Sequence, residues 1–306
     1  MVQVYRSSSI PPPTPPPQLA QSAPFLISTA FPPTSPDSFH PSDLILLSSD
    51  LVFFHVHRSA LQAASTRAFR ISFPSLPPSS SDIVEPVISI PESSTTLNII
   101  LHSIYGQSSF RFAPSFEALS AAVAALLPNE LSVREFVALT SPLGALILAH
   151  APLHPIEAYA LAAQYDLHDL AVVTSSHLLS FNLSSVTDEL AEQIGPRYLK
   201  RLFLLHFGRI EALKRLLMPP PHPHPATPTC PFTAQSKVVR AWTLMAAYLI
   251  WDCGVDLSTE TIKSIMGPMA DHIQCPICRD SLKSRMQTLV VQWTNIKVSY
   301  RSHINL

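Results

Sequence analysis

The residues of this chain best suited to chemistry lie near its C-terminal end. They are four cysteines, Cys230, Cys253, Cys275 and Cys278, with His222, His224 and His272 close to them in sequence. The two-residue gap between Cys275 and Cys278 lets two sulfurs reach one ion, and a tetrahedral zinc site needs four thiolate or imidazole donors. Cys230 would supply the third donor and His272 the fourth, with His222 and His224 as alternatives for that last place. The plainer reading is a set of reduced thiols packed into a helical module, with no cofactor. A RING-type finger is excluded, because it needs further Cys/His pairs downstream and only His303 follows Cys278. A thioredoxin-type Cys-x-x-Cys wants a βαβ setting, which the helical pattern around these residues does not offer.

Other catalytic signatures are missing. The chain has no His-Glu-x-x-His, no Gly-x-Ser-x-Gly and no phosphate-binding glycine loop. His57 has no Ser or Cys nucleophile with an identifiable orienting acid and reads as a core histidine. The expectation is therefore that the chain is not an enzyme; a thiol- or zinc-dependent hydrolase built on the C-terminal module is the rival from another class.

Composition narrows the class of partner. Of the 306 residues, 47% are hydrophobic and 13% charged, ample for a core, and the formal net charge of −1 gives no electrostatic footprint for nucleic acid. The most apolar stretch, Phe136 to Ala151, contains Pro142 and falls short of the roughly 18 uninterrupted residues a spanning helix needs. No membrane association is expected, and the partner should be protein. Few cysteines and the lack of a basic-then-apolar start at Met1 point to a reducing compartment, cytoplasm or nucleus, with the Asn182-Leu-Ser184 sequon left unglycosylated.

Proline organises the chain. Of 31 prolines, 18 fall in residues 11–41 and 219–231, while there are only 6 glycines. The first window, with Pro11 to Pro17 and the Thr14-Pro15 and Ser35-Pro36 sites, reads as a disordered tail over residues 1–41. The second reads as a stiff Pro/His linker. Scarce glycine argues against a hairpin-rich β fold, so helices should dominate.

The elements follow from periodicity. Runs from Ser42 to Ser48 and Asp50 to His57 form a hairpin, a helix covers about Ser59 to Phe73, and Pro86 to Ile90 is a third strand. Leu97, Ile100, Leu101, Ile104 and Tyr105 make an apolar helical stripe capped by Ser93 or Ser94 and ended by Gly106. Everything from residue 115 on is helical. Ser185 and Asp188 read as a capping box for Val186 to Ile194, and Pro196 opens a helix with a basic face, Arg197, Lys200, Arg201, Arg209, Lys214 and Arg215, taken as solvated. After the linker come a helix with Val238, Trp242, Met245 and Leu249, a helix after Ser258, and a last one with Leu282, Met286, Leu289 and Trp293 that packs on its own module.

The N-terminal ordered segment resembles the BTB/POZ domain. The resemblance rests on Asp43 at the head of the first strand, Phe54-x-x-His57-Arg58 at the end of the second, Leu61, Ser65 and Phe69, the strand ending at Ile90, the helix through Leu101 to Tyr105, and the pair of helices from Ala158 to Leu179. The wider chain, over about residues 42–300, is similar to a group of BTB proteins abundant in fungi, through Tyr198 to Leu202, Leu205-His206, Cys230, Trp242, Cys275-x-x-Cys278 and Gln292-Trp293. The resemblance implies an α+β, predominantly α fold. A BTB/POZ-like domain at 42–182, with insertions at 74–86 and 128–152, would precede an all-α extension at 183–218, the linker at 219–231 and a helical module at 232–306. It also implies homo-oligomerisation through the BTB-like domain, with Asp43 and Arg58 forming a charged pocket near the dimer interface or an intrachain pair. Recruitment of a further protein partner follows, with adaptor work for a cullin-type ubiquitin ligase as the alternative.

Overall fold

A computed structural model describes residues 26–33, 41–65, 67–71, 86–252 and 254–296. The described residues fall into two compact units, one within Met1–His57 and Ser81–Ser94, the other within Arg58–Ser80 and Thr95–Leu306. The architecture is mainly helical with one small sheet, in agreement with the α+β expectation.

The first unit is a four-stranded sheet of β1 (Leu26–Ile27), β2 (Leu44–Leu47), β3 (Val52–Val56) and β4 (Val87–Ser89), in the order β1-β3-β2-β4. β2 and β3 are the expected hairpin, antiparallel with Leu46 opposite Phe54, while β1 runs parallel to β3 and β4 parallel to β2. Alternation decides the buried face: Leu44, Leu46, Phe54 and Val56 are buried, two apart along each strand. Ser48 Oγ accepts from the Val52 backbone N–H at 3.0 Å and steadies the reversal, in which Leu51 takes φ 63°. The carboxylate of Asp50 accepts from the Ser94 N–H at 2.7 Å and so satisfies one of the free donors at the start of the helix that begins at Ser94.

Part of the expected tail carries structure. Ser28 N–H donates to Phe53 carbonyl at 2.8 Å, and the buried Phe31 ring lies 6.0 Å from that of Phe54. The short apolar Leu26-Ile27 pair suffices to add to the edge of β3. Residues 1–25 and 34–40, with the Pro11 to Pro17 tract, Thr14 and Ser35, lie outside the described residues.

The helices are α1 (Arg58–Ala64), α2 (Ser94–Ile104), α3 (Phe116–Leu126), α4 (Val133–Phe136), α5 (Pro142–His150), α6 (Pro155–Gln164), α7 (His168–Thr174), α8 (Asp188–Leu217), α9 (Phe232–Asp252), α10 (Thr259–Met266) and α11 (Pro276–Thr294). α1 ends nine residues before the Phe73 that periodicity suggested, and Phe69 and Arg70 turn to φ 58° and 56°. The competing interaction is visible: Phe69 N–H donates to Asn129 carbonyl at 3.0 Å and Arg70 Nε to Pro128 carbonyl at 2.8 Å. The 128–152 stretch thus supplies that anchor and then α4 and α5. Ser141 caps α5 by accepting from Gly144 N–H at 3.0 Å, with Pro142 in the first turn, where its missing N–H is no loss.

α8 departs from expectation at its cap, which is Thr187, whose hydroxyl accepts from Leu190 N–H at 3.3 Å, while Ser185 closes a 3₁₀ turn. At Gly195, with φ 71° and ψ 159°, the helical backbone is interrupted, so α8 consists of two stretches and Pro196 opens the second, as expected. Its basic face is also not uniformly solvated. Arg209 is buried, donating from Nε to Val255 carbonyl at 2.8 Å and from Nη1 to Ile296 carbonyl at 3.2 Å, with its guanidinium 4.4 Å above the Trp293 ring.

The expected boundary at 219–231 does not separate compact units. Near its start α8 packs on the alanine-rich α6, where Tyr159 Oη donates to Tyr198 carbonyl at 2.8 Å; at its end Leu213 and Leu217 enter the core of the C-terminal helices with Trp242, Leu249, Ile262, Met266, Leu282, Leu289 and Trp293. One helix thus takes part in both regions. The seam on α11 packs into this same core, as expected. No described helix is long and apolar enough to cross a membrane.

Gly144 has a steric reason to lack a side chain, since a Cβ there would sit 2.0 Å from Ala138 carbonyl oxygen. Gly144→Ala is expected to lower stability by about 1–3 kcal/mol in urea unfolding, as overpacking does; an unchanged midpoint would contradict the packing described at the start of α5.

Candidate metal centre

The site is assembled by two segments. The first is the Pro/His segment, which runs on from α8 to a two-residue bridge between Thr227 and Cys230, with backbone hydrogen bonds of 3.1 and 3.0 Å. Thr227 Oγ1 also accepts from Cys230 N–H at 3.1 Å, and Gln235 Nε2 donates to Cys230 carbonyl at 3.3 Å as α9 begins. The second is the start of α11, where Cys275 is the N-cap, Pro276 takes the first helical position and Cys278 falls in the first turn. Arg279 holds the approach to this start, donating from Nε and Nη2 to Ile273 carbonyl at 3.1 and 2.6 Å.

Proline explains how the two segments meet. A run of prolines has few N–H groups to form a ladder but keeps its carbonyls, which need donors. α11 provides them along one face: Ser281 Oγ donates to His222 carbonyl at 2.9 Å, and Arg285 donates from Nε to Pro219 carbonyl at 2.9 Å and from Nη2 to Leu216 carbonyl. Cys278, Ser281 and Arg285 stand at i, i+3 and i+7, so the segment is laid along the helix whose start carries the Cys pair.

The result is a set of four donors. His224 Nε2 lies 3.3 Å from Cys275 Sγ, Cys230 Sγ lies 3.8 Å from Cys278 Sγ, and the donor atoms of His224, Cys230, Cys275 and Cys278 are all within 4.8 Å of one another. A tetrahedral ion with Zn–S bonds of about 2.3 Å sets its sulfurs roughly 3.8 Å apart, so the residues present fit a metal such as zinc. Cys230 and Cys278 are buried, whereas His224 and Cys275 are half-buried.

Three of the four expected ligands, Cys230, Cys275 and Cys278, are brought together; the fourth, His272, is not among them. It ends the 3₁₀ turn Gly267–His272 in an exposed position and is not one of the residues whose donor atoms lie within 4.8 Å of one another. Together with Cys230, Cys275 and Cys278 it lines a cleft of about 550 Å³, with Lys237 and Met245 among the other walls. His222, the other alternative, is exposed and uses its carbonyl on Ser281. His224 was thus one of three sequence candidates, and only the carbonyl partners on α11 select it.

Electrostatics divides the thiols. Hydrogen bonding from the Cys278 backbone N–H, with smaller help from His224 and Cys230 working against desolvation, pulls the Cys275 thiol down to about 7. Burial, then the neighbouring Cys230 and Cys275, pushes Cys278 up to about 12, and burial raises Cys230 as well. The hydrogen bond from His224 to Pro225 carbonyl raises the imidazole. Cys-x-x-Cys does open a helix, as a redox motif would, but its surroundings are helical and two further donors face it.

The other expected pair is placed on separate units. Asp43 is exposed ahead of β2, with its backbone N–H donating to Val56 carbonyl at 3.2 Å, and Arg58 is the half-buried first residue of α1. His57, between β3 and α1, is half-buried.

In reduced, chelator-treated protein, iodoacetamide should label Cys275 first, with a rate that rises through a midpoint near pH 7, because a lowered value means thiolate accumulates as pH climbs past it. Cys278 should stay protonated and slow at pH 9. Equal rates at both positions, read by peptide mass spectrometry, would contradict the described asymmetry.

No family model matches the chain, and no curated protein and no solved structure matches it either.

Proposed function

We propose that the chain is a non-catalytic protein-association module whose C-terminal helices are closed by a structural zinc ion. The observation that carries this reading is the set of His224, Cys230, Cys275 and Cys278, four protein donors at mutual distances suited to one tetrahedral ion. Four protein donors leave no open position for a reacting water, which is the arrangement of structural rather than catalytic zinc. Held by these residues, zinc would supply a cross-link between the Pro/His segment and α11 and no chemistry of its own.

Association is supported by the residues that resemble a BTB/POZ domain, which would give self-association through the N-terminal segment around Asp43 and Arg58. Recruitment of a second protein is supported by the exposed row on α8, where Leu204 and Phe207 are 45% and 57% exposed. A thiol-dependent enzyme is the second reading, favoured by the cleft beside Cys275 and its low-lying thiol. Zinc on that sulfur would remove the nucleophile.

The test is metal analysis of the full chain together with its mass in solution. About one zinc per chain is expected, lost in Cys278→Ser and in His224→Ala but retained in His272→Ala. Chelation should lower the melting midpoint by roughly 5 °C, since about 3–4 kcal/mol of site energy moves a protein of this size that far. Sub-stoichiometric metal with unchanged stability in chelator would overturn the zinc reading. A strictly monomeric chain that captures no protein would overturn the association reading. Ester hydrolysis by the chelated protein that is lost in Cys275→Ser would favour the enzyme.

A further inference from the structure

α9 buries only one of its two faces. Trp242, Ala246 and Leu249 lie in the C-terminal core, while Leu244, Tyr248 and Trp251 on the opposite side are 70%, 48% and 92% exposed. At 100° per residue, Lys237, Arg240, Leu244, Ala247, Tyr248 and Trp251 share one exposed stripe with no acidic residue on it. A tryptophan left almost wholly in water beside a leucine and a tyrosine marks a contact surface rather than ordinary surface scatter.

The order of residues along the stripe says what fits it. Counting from Leu244, cations stand at −4 and −7, Arg240 and Lys237, and aromatic rings at +4 and +7, Tyr248 and Trp251. A second copy of α9 laid antiparallel, with a two-fold axis at Leu244, places Arg240 against Tyr248 of the other copy and Lys237 against Trp251. Leu244 then meets itself, with Ala247 leaving room for close approach. Each helix carries both halves of the cation–π pairs, so the surface is self-complementary, which is what an isologous interface requires. We propose that the exposed face of α9 is a homodimer interface, formed by antiparallel pairing of two α9 helices about Leu244.

This contact is separate from self-association through the N-terminal segment, and the two can be told apart. Sedimentation of the full zinc-loaded chain is compared with Leu244→Glu, Arg240→Glu, Tyr248→Arg and the double variant Arg240→Glu/Tyr248→Arg, all at exposed positions. Leu244→Glu brings two like charges together on the axis and should weaken the contact about 100-fold, halving the mass at a concentration where the natural chain is assembled. Arg240→Glu loses the cation, and Tyr248→Arg sets two arginines face to face, so each should weaken association.

The double variant should restore it, because the carboxylate introduced on one copy then meets the guanidinium introduced on the other. Within one helix the two substituted positions are eight residues, about 12 Å, apart and cannot pair. Rescue therefore reports the antiparallel register and not a repaired fold, and unchanged circular dichroism of each variant confirms that comparison. Unchanged mass in Leu244→Glu, or a double variant no better than the singles, overturns the proposal. The species that Leu244→Glu leaves behind answers the other question: a residual dimer keeps the N-terminal contact, whereas a monomer removes that contact and leaves the α9 interface standing.

Discussion

The arrangement of the C-terminal region depends on carbonyl groups that have no partners in their own segment. Between Pro219 and Pro225 the backbone can form neither helix nor ladder, because proline after proline withdraws the donor and fixes φ. Its acceptors are met by side chains of another element, Ser281 and Arg285 of α11, and by no regular structure. Satisfying them fixes where the segment lies, and its position in turn brings His224 and Cys230 to Cys275 and Cys278. The same logic recurs at the end of α8, where Trp242 Nε1 donates to Leu217 carbonyl at 2.9 Å, and at the end of α11, where Arg209 reaches Ile296 carbonyl and Trp293 Nε1 reaches Leu257 carbonyl at 2.7 Å. Large side chains with one polar tip both fill the core and close the loose ends of helices.

α8 makes the helices from α6 to α11 a continuous body. Its first turns pack against α6 through Tyr159 and Tyr198, and its last against α9 and α11 through Leu213 and Leu217. Gly195, at φ 71°, takes without strain a backbone conformation that other residues rarely adopt, and the stretch that Pro196 opens after it carries both Tyr198 and Leu217. Loss of rigidity at either end would be felt at the other through a single element.

What the sequence made legible was whatever rested on local pattern. The β-rich runs on either side of Ser48-Ser49-Asp50 placed the hairpin, helical stripes placed Leu97, Ile100, Leu282 and Leu289, and the few cysteines with their spacing singled out three of four clustered donors. What it hid was decided by partners distant in the chain. The choice among three histidines turned on carbonyl acceptors to α11, the early end of α1 on Asn129 and Pro128, and the partner of the first N–H of α2 on Asp50 from a preceding turn. Composition also misled at one point. Proline density at 219–231 marks a linker in most chains, but here the segment is fastened at nearly every turn, and the division into units falls elsewhere. The strand at Leu26–Ile27 was hidden for the opposite reason, being two residues in a background of Pro and Ser.

The separation of the four donors along the chain sets a timetable. His224 and Cys230 are made well before Cys275, and the intervening residues form α9 and α10. At ordinary rates of translation the ribosome needs about 2–10 seconds to cover that interval. Throughout it, the Pro/His segment has neither the thiols it will face nor the arginine and serine that will hold its carbonyls, and the end of α8 has no covering from α11. The C-terminal region can therefore close only after the last helix has left the ribosome, as a late step for which the earlier helices must wait with apolar surface showing.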